Sequence, residues 1–243
     1  MTFGSLFAGI GGFDLGFERA GMKCQWQVEI DDYANKVLAK HWPNVRRHGD
    51  VRTFPPEPAT DWTVDIICGG FPCQDISVAS HTKTGLDGER SGLWREFARI
   101  IGVLQPGYVV VENVAALFDR GMGRVLADLF DLGFDAEWSI VPACSMGAPH
   151  TRARVFIVAY PESKRGKKGM GRIRSQGLLV SESNRRESQV AWQLSVAAAL
   201  RISDRSASRM DRIRLRGLGN AVVPQIAEWI GKRIIESETP CES

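Results

Sequence analysis

Cys73 stands between Pro72 and Gln74, directly after the apolar run VDIICGG at 64–70. A thiol in a loop just past a buried strand, near the start of the next helix, is favoured as thiolate, the nucleophilic form of cysteine. A cysteine taken alone is more often a small buried hydrophobe. Other reactive or ligand-binding residue types recur at comparable places along the chain. The glycines of FAGIGG (7–12) follow the first apolar run, Glu29 follows the second, Asp50 the third, and Glu112 and Asn113 follow YVVV. Glycines let backbone approach a ligand closely. Glu29 lies 20 residues after Gly9, the spacing at which an acid meets a ribose hydroxyl pair. The dinucleotide pattern G-x-G-x-x-G fails because Asp14 occupies its third glycine position, and there is no G-K-[ST] phosphate loop. An adenosine ligand without a pyrophosphate to cradle points to S-adenosylmethionine. A turn that merely needs glycine is the competing reading, and a nicotinamide-dependent oxidoreductase is a more distant one.

These residues become a site if the elements place them on one edge. Up to residue 160, short apolar runs alternate with amphipathic stretches. GSLFAG, CQWQVEI, NVRRHGDV, VDIICGG, YVVVENV, FDAEWSIVPA and RVFIVAY read as strands. Phe13, Phe17 and Ala20 form one helical stripe, and Val37, Leu38 and His41 another. GLWREFARIIGVLQ and GMGRVLADLFDLG read as two more helices. This alternation predicts an α/β fold with a mostly parallel sheet and helices on both faces. Right-handed crossovers then bring every strand-to-helix loop to one edge, where ligands bind in such sheets. Cys68, inside its strand, reads as structural, and Cys24 and Cys144 as packing residues.

From Pro161 the alternation stops. Over 161–216 there are 14 Lys and Arg against 5 Asp and Glu, leaving 17 against 23 elsewhere, although the formal net charge is only +3. A basic segment on an acidic body points to a polyanion such as nucleic acid, with a solvated loop as the bland alternative. After it, Val222, Ile226, Ile230 and Ile234 recur every four residues, with Pro224 in the first turn of that helix. The 243 residues fit one large domain, or one with a small insert. Five scattered cysteines with no C-x-x-C pair argue against a disulfide framework and against a metal site. They fit a reducing, cytoplasmic setting. No apolar run reaches membrane-helix length.

FAGIGGF, GGFPCQ, ENV, H-T-R-A-R and GNAVVP, in this order, resemble the DNA (cytosine-5)-methyltransferases over residues 1–160 and about 217–236. The resemblance implies a Rossmann-like S-adenosylmethionine-dependent methyltransferase sheet carrying a small basic target-recognition insert. It divides the chain into a catalytic and cofactor-binding domain at 1–160, a recognition region at 161–216, and a C-terminal helix at 217–243 that packs back on the first domain. It implies double-stranded DNA as the substrate, and a monomer is expected. The departures are His150 where the family most often has Gln, Ala221 where a small hydroxyl is common, and a recognition region of 56 residues.

The resemblance also assigns roles. Cys73 adds to C6 of a cytosine flipped out of the duplex. Glu112, if protonated, donates to N3. Arg154 orients the base, and Arg152 lies on phosphate or on Glu112. Cofactor contacts fall to Phe7, Gly9, Gly11, Gly12, Glu29, Ile30, Asp50, Val51, Gly70, Pro72, Leu93, Asn220 and Ala221. DNA contacts fall to Gln74, Ser77 and Asn113. In the basic segment, Lys164, Arg165, Lys167 and Lys168 are expected on phosphate, and Arg205, Arg209 and Arg212 on base edges. The polar loop 77–92 is long enough to be a lid. An RNA cytosine methyltransferase and a catalytically weak DNA-binding remnant remain alternatives.

Overall fold

The computed structural model describes residues 1–72, 92–148, 151–164 and 217–239. Seven strands form one sheet in the order β3-β2-β1-β4-β5-β7-β6. They are β1 (Thr2–Leu6), β2 (Lys23–Val28), β3 (Arg46–His48), β4 (Ile66–Gly69), β5 (Tyr108–Val114), β6 (Phe134–Pro142) and β7 (Ala153–Pro161). The first five pair in parallel; β7 runs antiparallel between β5 and β6. The sheet is therefore mostly parallel, as the alternation predicts. The central strands IICG and YVVVENV are buried nearly throughout, as strands covered on both faces must be.

Each face carries its own core. On one side, Trp94, Phe97, Ile100, Ile101 and Leu104 of α3 (Leu93–Leu104) pack on the sheet, with Val125 and Leu129 of α5 (Met122–Asp131). The short α4 (Leu117–Arg120) precedes α5 and buries Leu117. On the other side, Phe13 and Phe17 of α1 (Gly12–Arg19) meet Ile226, Ile230 and Ile234 of α6 (Pro224–Glu238). A Cβ on Gly16 would lie 2.5 Å from the Ala227 Cβ, so that glycine sets the close approach of α1 and α6. The four-residue spacing of the isoleucines is the α1-facing stripe of α6.

Two packing expectations change. In α2 (Asp32–His41), Ala34 and Leu38 are buried while His41 is exposed, so the stripe is rotated from the expected one. Asp31 starts this helix by accepting from the Ala34 N–H at 2.8 Å. Cys24 and Cys68 are buried as expected, but Cys144 is exposed. It sits in the 3-10 turn Ala143–Met146, where the apolar contacts fall to Ala143 and Met146 instead.

Candidate active site

The strand order reverses direction between β1 and β4, and the crevice outside their carboxyl ends is where such sheets bind ligands. The glycine loop leaves β1 there. Phe7 (φ 52), Gly9 (φ 56) and Gly11 (φ 87) all take left-handed backbone, and Gly11 caps α1 with no side-chain cap. The Trp42 ring fills the space a Gly11 side chain would need. Gly12 lies against the Val222 backbone, so the lead-in to α6 rests on this loop.

Glu29, past the end of β2, binds the loop to its own strand. Its Oε2 accepts from the Gly9 N–H at 2.7 Å, and its Oε1 from the Asp31 N–H at 2.8 Å. Each oxygen keeps a lone pair for a further donor. Ile30 beside it is 70% exposed, an apolar side chain facing outward at the sheet edge. Asp50 accepts from the Arg52 N–H at 2.9 Å, while Val51 is buried. A fixed carboxylate, an outward apolar face and a glycine-rich loop fit an adenosine group, with Glu29 suited to the ribose hydroxyls.

The reactive end lies between β4, β5 and β7. Because β7 runs backwards, its start rather than its end reaches this edge, and Arg154 pairs with Val114 at the end of β5. The Arg154 Nε lies 3.1 Å from Glu112 Oε1, and Gly70 lies against the same carboxylate. Glu112 is buried, and burial pushes its pKa from 4.5 up to about 7, with Arg154 and then Arg152 pulling it back down. A carboxyl titrating near neutrality can donate and accept protons in one cycle.

Leu93 opens α3 at the same edge, partly buried against the core. Ala221 donates its N–H to the Gly217 carbonyl at 3.1 Å, and the segment with exposed Asn220 stands by the glycine loop, where Gly217 neighbours Ile10 and Tyr33. Pro72 ends the described part of the β4 loop. Cys73, Gln74, Ser77, the 77–91 part of the expected lid, His150, Arg165, Lys167, Lys168, Arg205, Arg209 and Arg212 lie outside the described residues.

Two expectations need correction, and a third gains contacts. Asn113 is buried rather than presented to a ligand: its Nδ2 donates to the Phe71 carbonyl at 3.1 Å, tying β5 to the loop that carries Cys73. Arg152 acts on Glu112 through its charge, as expected, and also binds the chain itself, its guanidinium donating to the Gly219 carbonyl and, at 2.9 Å, to that of Ala221. Lys164 sits at the opposite sheet edge, 2.7 Å from Glu238 Oε1 and over the Tyr108 ring, where it is satisfied without phosphate. Sequence reasoning also passed over the role of Asp14, which is fully buried among Ser5, Cys24 and Gln27. Its failure to fit the dinucleotide pattern was the available signal.

Among the described residues there is no cluster of three or more His, Cys, Asp or Glu side chains able to hold a metal, and no helix is long and apolar enough to cross a membrane.

Comparison with known proteins bears on this edge. The C-5 cytosine-specific DNA methylase family matches residues 1–197. The chain is 34% identical over 158 residues to the Type II methyltransferase M.NgoFVII of Neisseria gonorrhoeae, covering 63% of this chain and 42% of that one. It is 40% identical over 161 residues to the Type II methyltransferase M.Eco47II of Escherichia coli, covering 63% and 38%. The chain thus spans about two fifths of the length of these relatives. Among solved structures, Spodoptera frugiperda DNMT2 shares the fold, with a TM-score of 0.56 at 20% identity, covering 66% of this chain and 50% of that one.

Proposed function

The chain belongs to the C-5 cytosine-specific DNA methylase family, and from that premise we propose that it methylates C5 of a cytosine flipped out of duplex DNA, using S-adenosylmethionine. The observation that carries the reading is the Glu112–Arg154 pair beside Gly70, a carboxyl poised near neutrality one strand away from β4, after which Cys73 follows in sequence. A flipped base entering there meets a nucleophile, an acid and a guanidinium together.

Bound S-adenosylmethionine supplies an electrophilic methyl group; the remaining work belongs to the chain. The Cys73 thiolate adds to C6, which makes C5 nucleophilic. Glu112 delivers its proton to N3 as charge builds on the ring, and Arg154 holds the carboxyl in place and orients the base. C5 then takes the methyl group, the thioether product leaving, after which solvent water takes the C5 proton, N3 returns its proton to Glu112, and Cys73 departs as thiolate. Glu29 holds the ribose, Ile30 and Val51 flank the adenine with Asp50 at its amine, and Phe7, Gly9, Gly11 and Gly12 line the loop. Gly70, Pro72, Leu93, Asn220 and Ala221 surround the methionine end. Asn113 and Arg152 hold the two loops that close the site. Gln74, Ser77, Arg165, Lys167 and Lys168 take the phosphates, and Arg205, Arg209 and Arg212 read bases.

Duplex DNA is favoured over RNA because the matching family is defined on DNA and the relatives are Type II methyltransferases. Incubation with methyl-labelled S-adenosylmethionine and, in parallel, duplex DNA and transfer RNA tests this. Label on 5-methylcytosine in the DNA supports the reading; label in the RNA alone, or in neither, refutes it.

A further inference from the structure

Asp14 is a buried acid that the proposed chemistry does not use. It lies in the first turn of α1 and has no exposed surface. Three donors from two strands converge on it. The Ser5 hydroxyl of β1 donates to Oδ2 at 3.2 Å, and the Gln27 amide of β2 to Oδ1 at 2.8 Å. The Cys24 thiol, also of β2, donates to Oδ1 at 3.4 Å. Such a group is costly to bury unless it is hydrogen-bonded, and a satisfied buried network holds its neighbours rigidly.

The contacts continue in a ring. The Gln27 Oε1 lies 3.5 Å from the Arg47 guanidinium of β3, and Arg47 donates to the Trp42 carbonyl at 2.7 Å. The Trp42 ring fills the space beside Gly11, and Gly11 begins the helix that carries Asp14, with the Leu15 N–H donating to the Gly11 carbonyl at 3.0 Å. The ring therefore runs through Gly11 of the glycine loop. Glu29, two residues past Gln27 and just beyond the end of β2, holds the same loop through the Gly9 N–H.

We propose that Asp14 is a positioning residue that sets cofactor affinity, by pinning the first turn of α1 to β1 and β2 so that the Gly9–Gly11 backbone and Glu29 keep their binding arrangement. It touches no ligand and acts through the loop. The proposal rests on the adenosine-site reading above.

Asp14→Asn keeps the volume but replaces one carboxylate oxygen with an amide N–H, set against either the Ser5 hydroxyl or the Gln27 and Cys24 donors. Calorimetry on the intact chain should show S-adenosylmethionine binding weakened by about tenfold per folded molecule. Hydrogen exchange on the ligand-free protein should quicken at the Gly9 and Gly11 amides and stay unchanged at Val110 and Ile157. Gln27→Met removes the strongest tether while leaving Asp14 in place. It should move both readouts in the same direction, and it carries the test if Asp14→Asn does not fold. Wild-type affinity together with wild-type exchange at Gly9 and Gly11 would overturn the proposal. So would faster exchange everywhere with affinity per folded molecule unchanged, which marks a residue that serves stability alone. If the loop amides quicken but the wild-type chain binds no S-adenosylmethionine, the positioning role stands and the cofactor reading fails.

Discussion

The Arg154 guanidinium stands 3.1 Å from the Glu112 carboxylate, joining two antiparallel neighbours, β5 and β7, at the edge where parallel β4 also ends. The pair sets opposing forces on one proton. Burial favours the neutral acid, and the arginine favours the carboxylate. With burial the larger, the acid titrates at about 7.

The sign of the pH dependence follows. If N3 must receive a proton from Glu112, kcat/KM falls as pH rises through about 7, because the acid is then ionised. Glu112→Gln should lose that limb and about 10²-fold or more in kcat, with cofactor affinity unchanged. The same group makes folding stability pH-dependent. Its folded pKa is raised above 4.5, so its contribution is fully present below 4.5 and is lost as pH rises through about 7. Melting curves should therefore show a smaller decline over that window in Glu112→Gln than in wild type.

Asn113 holds the Phe71 carbonyl, two residues before Cys73. Asn113→Leu leaves that carbonyl without its partner, which costs roughly 1–3 kcal/mol in a buried setting. Turnover should drop while the salt dependence of DNA binding keeps its slope, since no phosphate contact is lost. A flatter slope would return Asn113 to the DNA surface.

Glu29 should govern the cofactor. Glu29→Gln sets an amide N–H against the Gly9 or Asp31 N–H that the carboxylate now accepts. Affinity for S-adenosylmethionine should fall roughly ten- to a hundredfold, on the order of 1.5–3 kcal/mol, read by calorimetry. Unchanged affinity would remove the ribose assignment.

The seam between α1 and α6 depends on small residues. Gly16→Ala would bring a methyl against the Pro224 carbonyl and the Ala227 side chain, neither of which can swing away. A loss of about 1–3 kcal/mol in denaturant unfolding is expected. A smaller effect would mean that α6 slides along α1 at little cost.

The sequence carried the residues at the strand ends, because a parallel sheet gathers consecutive loops on one edge and leaves each marked by local glycines and acids. FAGIGG, Glu29 and Glu112 could be placed at strand ends for that reason, and the register of Ile226, Ile230 and Ile234 followed from helical periodicity. Residues whose roles depend on distant partners were not. Asn113 meets Phe71 across 42 positions, Arg152 reaches Gly219 across 67 and Ala221 across 69, and Lys164 finds Glu238 across 74. An arginine or lysine viewed without its partner reads as a phosphate ligand; with its partner in view it reads as a clamp. Reversal of β7 adds to this, since it presents Arg154 from the beginning of a strand.

The most direct test of the account is a covalent trap. Randomised duplex DNA containing 5-fluorocytosine, incubated with the chain and S-adenosylmethionine, should halt the reaction after methyl transfer, because the C5 fluorine cannot leave as a proton does. The account predicts a denaturation-resistant protein–DNA adduct that maps to the peptide containing Cys73 and disappears in Cys73→Ser. Adduct formation at Cys68 or Cys144, or methylation of the unsubstituted duplex by Cys73→Ser at the wild-type rate, would contradict it.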